Sequence, residues 1–98
     1  MINVKYTDTS LKVSGHAQFA PKGSDLVCAA VSAIVETSSS WFKKDELDIK
    51  LDKRNDVSIQ YNLIKKTAEN KNKMTLIVKQ LQVLEKKFKK YIKITKGK

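Results

Sequence analysis

Apolar residues in this chain recur with two different periods, and the alternation between those periods restricts the fold more than any other property of the sequence. Ile2, Val4 and Tyr6 alternate with Asn3, Lys5 and Thr7, and after the polar Asp8-Thr9-Ser10 the pattern resumes at Leu11 and Val13. A period of two places every second side chain on one face of an extended strand, so this segment predicts two strands joined by a short turn. From Asp25 the spacing lengthens to three and four, through Val27, Val31, Ile34, Val35 and Ser38, with Ala29, Ala30 and Ala33 as helix formers. This is the stripe of an amphipathic helix, running from Asp25 to roughly residue 42, where Trp41 and Phe42 end it. The period of two returns at Leu47, Ile49 and Leu51, breaks at Arg54-Asn55-Asp56 and continues through Val57, Ile59, Tyr61 and Leu63, which predicts a hairpin with one buried face. Met74, Ile77, Val78, Leu81, Leu84 and Phe88 mark a second helix, with a start as early as Thr67. Tyr91 to Thr95 alternates as a last strand. The predicted order is β-β-α-β-β-α-β. Strands that each bury one face need a layer to cover it, so the expected fold is α+β: one mostly antiparallel or mixed sheet with two packed helices. Ninety-eight residues supply a single core, so residues 1–98 form one domain.

Charge narrows the function classes. Twenty Lys and Arg against ten Asp and Glu leave a net +10, which by itself suggests a nucleic-acid binder. The excess is confined to one half. Up to Phe42, Lys5, Lys12 and Lys22 are balanced by Asp8, Asp25 and Glu36, whereas Glu85 to Lys98 carries Lys86, Lys87, Lys89, Lys90, Lys93, Lys96 and Lys98. With one Arg and no aromatic residues interleaved as in an RNA-recognition surface, the basic half reads equally as a weak contact for RNA or the ribosome and as a solvated lysine face. No apolar run approaches the ~20 residues that span a bilayer, and the N-terminus has no signal-peptide pattern, so no membrane contact and a cytoplasmic location are expected. One Cys and one His provide neither an internal disulfide nor a four-ligand zinc site, and no metal or cofactor is expected.

That Cys and that His lie close together in the chain. His16 closes the second predicted strand, Cys28 opens the first helix, and Gln18 to Ser24, with Pro21 and Gly23, has the composition of a loop. With Asp25 as helix cap, Cys28 falls in the first turn, where unpaired backbone N–H groups and the helix dipole stabilise a thiolate. A nearby imidazole completes the conditions for a nucleophilic thiol. The competing reading is a small buried hydrophobe at Cys28, inert, in a basic binding module that docks on RNA or the ribosome. On residue chemistry alone both stand.

The segment Gly15-His16-Ala17, then Gly23, Asp25-Leu26-Val27-Cys28-Ala29-Ala30 and Ser32-Ala33 resembles the ribosomal-processing cysteine protease family, Prp, and the twelve-residue step from His16 to Cys28 agrees with that family. The resemblance implies a bacterial cysteine endopeptidase that removes a short N-terminal extension from large-subunit ribosomal protein twenty-seven and so supports ribosome assembly. It implies Cys28 as nucleophile, His16 as general base, a ribosomal protein precursor as substrate, and a homodimer. The loop between the two residues would close around substrate, with Phe19, Pro21 and Gly23 as its candidate contacts. Asp25 is the candidate cap or orienting group. Lys22-Gly23-Ser24 is more basic than the family pattern, which bears on substrate side-chain preference.

Overall fold

The structure is a computed structural model and describes residues 1–15, 24–52 and 58–97. In chain order the elements are β1 (Ile2–Tyr6), β2 (Ser10–Gly15), α1 (Ser24–Ser38), a 3-10 turn (Ser39–Trp41), β3 (Leu47–Asp52), β4 (Ser58–Leu63), α2 (Ala68–Lys87) and β5 (Ile92–Lys96). The strands form one sheet in the order β3-β4-β2-β1-β5. β1 pairs with β5 in parallel, Ile2 opposite Ile92, and the remaining pairs are antiparallel, so the sheet is mixed. The expected α+β class and element order are those observed.

Both helices cover the same face of the sheet. Ile2, Val4, Leu11, Tyr61, Leu63 and Ile92 from the strands meet Val27, Val31 and Val35 of α1 and Met74, Ile77, Val78 and Leu81 of α2 in one buried cluster. Fully burying side chains of this size stabilises by about 1.5–3 kcal/mol each, which is why the two-residue and four-residue periods predict the layers correctly. No helix among the described residues is long and apolar enough to cross a membrane.

Helix α1 stops earlier than the apolar pattern suggests, and its own hydroxyls explain it. Thr37 Oγ1 donates to the Ala33 carbonyl, Ser38 Oγ to Val35 (2.8 Å), Ser39 Oγ to Glu36 (2.7 Å) and Ser40 Oγ to Thr37 (2.7 Å). Four successive side chains compete for the carbonyls of the last turns, and the backbone tightens into a 3-10 turn. Phe42 then folds back against the core, while Trp41 stays largely outside it. Helix α2 begins at a firm signal: Thr67, extended at φ −74° and ψ 161°, accepts the Asn70 N–H on its side chain at 3.1 Å. The buried Asn70 side chain in turn donates to the Lys65 carbonyl at 3.0 Å.

One expectation is met only in part. Leu47 is buried, but Ile49 and Leu51 are 47% and 55% exposed. Strand β3 is the edge of the sheet, paired on one side only, so beyond Leu47 its side chains are covered from one side alone. Alternation identifies the strand and its two faces, but contains no term for its place in the sheet.

Candidate active site

Cys28 is half-buried on α1, packed against the core on one side and facing a cavity of about 110 Å³ on the other. The cavity runs along α1 from Cys28 to Glu36, between the helix and the ends of the strands. Ile2, Val13, Val31, Leu51 and Ile59 give it apolar walls, and Gly15, the last residue of β2, reaches its rim. A somewhat larger void of ~150 Å³ holds a benzene ring, so this space suits one apolar side chain. Two groups the sequence places on either side of a loop, the end of β2 and the thiol of α1, thus border the same space.

Gly15 is required there by its backbone. Its φ of +89° lies in the region that side-chain-bearing residues rarely adopt, and a Cβ would run into the Met1 carbonyl oxygen. The strand leading to His16 therefore ends in a backbone conformation that only glycine takes without strain.

Helix α1 begins at Ser24, one residue before the expected cap, so Asp25 lies within its first turn and Cys28 is its fifth residue. The unpaired N–H groups of a helix start precede its first i to i−4 bond, and here include those of Ser24, Asp25 and Leu26. They precede the thiol in sequence and are suited to receive negative charge on a reacting carbonyl oxygen. His16, Phe19, Pro21 and Gly23, and the side chain of Asp25, lie outside the described residues.

Sequence reasoning overlooked three contributors. Leu51 and Ile59 come from the second hairpin, where they face each other in register, and both line the cavity. Their shared parity was legible, but their proximity to Cys28 depends on β4 pairing with β2 through Val13 and Ile59. The third is Glu36, which lines the cavity with Ser32. Cys28, Ser32 and Glu36 are four residues apart, a spacing that marks one helix face in the bare sequence.

Tyr61 anchors this region. It is 1% exposed, and its hydroxyl donates to the Val35 carbonyl at 2.6 Å, tying β4 to the helix that carries Cys28. Burial pushes the phenol pKa up; a hydrogen bond with Ser39 opposes the rise, and the Glu36 carboxylate adds a smaller upward push.

The architecture has close counterparts. A crystal structure of the ribosomal processing protease Prp from S. aureus, in complex with a covalently linked product peptide, superposes with a TM-score of 0.85 at 23% identity, covering 99% of this chain and 100% of that one. A second S. aureus Prp structure, in complex with a substrate peptide, gives 0.83 at 21% identity, with 99% and 100% covered. The ribosomal processing cysteine protease Prp of Mycoplasma pneumoniae is 33% identical over 92 residues, 94% of this chain and 91% of that protein. Its Mycoplasma genitalium counterpart is 33% identical over 94 residues, 96% and 94% of the two chains. Sheet, helices and a thiol at the cavity place the chain in the class of small α+β cysteine proteases. Residues 1–93 match the family model described as cysteine protease Prp, and the chain belongs to that family.

Proposed function

We propose that this protein removes the N-terminal extension of large-subunit ribosomal protein twenty-seven, cleaving one peptide bond with a Cys28–His16 dyad. The observation that carries the reading is the meeting of Gly15, immediately before His16, with Cys28 at one apolar cavity. His16 takes the Cys28 proton, and the sulfur attacks the scissile carbonyl to form a tetrahedral intermediate. Collapse of that intermediate expels the amine, which takes the proton from His16, and leaves a thioester on Cys28. Water, deprotonated by His16, then releases the extension peptide as a carboxylate and restores the thiol, the trimmed ribosomal protein having already left as the amine. Backbone N–H groups at the start of α1 hold the oxyanion, and the cavity takes an apolar side chain of the substrate beside the scissile bond. Asp25, within the first turn of α1 rather than at its cap, orients the dyad, and Phe19, Pro21 and Gly23 cover the peptide. The active form is a homodimer in the cytoplasm.

The opposing picture of an inert core thiol fits poorly with a side chain that is half-buried and borders a cavity. Mass spectrometry of the precursor ribosomal protein decides between them. Wild type trims it at one bond; Cys28→Ala binds it uncut, and His16→Ala is equally inactive. Normal trimming by either variant overturns the dyad. A native Cys28 that iodoacetamide reaches only after unfolding overturns the nucleophile assignment as well.

A further inference from the structure

The sheet has a second face, which no helix among the described residues covers, and its chemistry is different from that of the first. Strand parity puts Asn3 and Lys5 of β1, Lys12 and Ser14 of β2, and Lys93 and Thr95 of β5 on it, all bordering one shallow depression. Register aligns them. Lys5 lies directly opposite Lys12, Lys12 opposite Gln60, and Gln60 opposite Lys50, so three lysines stand in one row across four strands. Lys93 sits opposite Asn3, one step diagonally from Lys5. Adjacent strands are ~4.8 Å apart and diagonal neighbours ~7–8 Å, which makes the cluster continuous.

Two like charges directly opposite on neighbouring strands destabilise a sheet. No ion pair among the described residues relieves them: the pairs present use Lys65, Lys71 and Lys73. The acids on this face, Asp48 and Asp52, are both on the β3 edge, one on each side of Lys50, and leave Lys5, Lys12 and Lys93 without a facing carboxylate among the described residues. A face that keeps uncompensated lysines at its centre, with amides and hydroxyls around them and no apolar side chain between, is suited to a partner that brings regular negative charge and hydrogen-bonding oxygens. We infer that the open face of the sheet binds the phosphate backbone of duplex RNA through Lys5, Lys12, Lys50 and Lys93.

Amides and hydroxyls of the Asn3, Ser14, Gln60 and Thr95 kind serve phosphate and 2′-OH contacts. The absence of aromatic residues from the face removes base stacking and makes the contact independent of sequence. An anionic membrane would call for apolar side chains to enter the interface, and the face presents none. A second copy related by a two-fold axis would set the lysine row near its own image. The surface lies on the opposite side of the sheet from the cavity of Cys28, so this inference stands or falls separately from the peptidase reading.

Fluorescence titration of a labelled RNA duplex of about 20 base pairs tests it, since four phosphate contacts predict a roughly hundredfold loss of affinity between about 50 and 200 mM salt. In the Lys5→Gln/Lys12→Gln protein, losing two contacts reduces that dependence to roughly tenfold. Lys50→Gln and Lys93→Gln each reduce it by about half as much. Relief of the Lys5–Lys12 repulsion raises the Tm of the double variant at low salt, so failure to fold is not the expected confounder. Lys86→Gln/Lys87→Gln, at the end of α2, serves as the control and leaves the salt dependence in place. The inference is overturned if wild type does not bind the duplex, if the double variant keeps the full salt dependence, or if the control variant abolishes it. It is equally overturned if phosphatidylserine vesicles bind through these lysines and RNA does not, or if the double variant alters only self-association.

Discussion

Gly15→Ala joins the fold to the site in one substitution. At φ +89° a side chain costs ~1–2 kcal/mol in backbone strain alone. The new Cβ also meets the Met1 carbonyl oxygen, and Met1 cannot simply swing away, because the next N–H, that of Ile2, is bonded to the Tyr91 carbonyl at 2.7 Å. Weakening that bond adds ~1 kcal/mol. A total of ~2–3 kcal/mol in a domain of this size corresponds to a Tm lower by roughly 10–20 °C. The variant remains folded at 25 °C if the parent has ordinary stability, so activity can be measured on native protein. Because the strain sits at the residue before His16, kcat/KM on a precursor peptide falls further than stability does, by roughly a hundredfold for an ångström of displacement. Scanning calorimetry gives the first quantity and a quenched-fluorescent peptide the second. Retention of the parental Tm would refute the requirement for glycine, and loss of Tm with full activity would refute its link to the site.

Two further outcomes follow from contacts described above. Tyr61→Phe removes the hydroxyl bonded to Val35, but that carbonyl still accepts from Ser38 Oγ at 2.8 Å; thermal unfolding should show a loss of only about 1 kcal/mol, or about 4–8 °C. A loss several times larger would mean that the bond does more than hold β4 to α1. The hydrogen bond from Lys65 holds the Asp45 carboxyl below its usual range, and the Lys43 backbone N–H does the same for Glu46. A lowered folded-state pKa contributes stability at neutral pH that disappears as pH falls through the carboxylate range, below about pH 4. Asp45→Asn should thus narrow the Tm gap between about pH 7 and pH 3, slightly, because both partners are exposed. An equal Tm change at both pH values would assign the effect to something other than ionisation.

Much of the fold was readable because burial imposes a period, and period survives in one dimension. The helix stripe through Val27, Val31 and Val35 and the strand pattern of Ile2 and Val4 are where they should be. The exposure of Ile49 and Leu51 was not readable, since it depends on β3 standing at the sheet edge, which pairing decides. The same limit applied to charge. Lys5 and Lys12 fall in the half of the sequence whose charges cancel, yet the sheet sets them beside Lys50 and Lys93 from the basic half. For the site, Cys28 could be picked out as the sole thiol at a helix start, whereas Leu51 and Ile59 could be recognised only through their partners in space.

The parallel seam between β1 and β5 has a kinetic consequence. Hairpins β1–β2 and β3–β4 close over short loops, but Ile2 finds Ile92 only after nearly the whole chain has been brought together. Closing so long a loop is entropically costly and returns no contact energy until it is complete, so this seam is expected to be the late step of assembly. Until then β1 offers an unpaired strand edge carrying Ile2 and Val4, both destined for the core, to any other extended chain nearby. Glu85 guards the finished seam from outside, its carboxylate accepting the Ile94 N–H at 2.8 Å on the exposed strand. A chain that folds slowly at this seam would be vulnerable to strand exchange between nascent copies, and protection of the Ile2 and Gly97 amides, which bond to the Tyr91 and Tyr6 carbonyls across it, would report in pulse-labelled hydrogen exchange how long that window stays open.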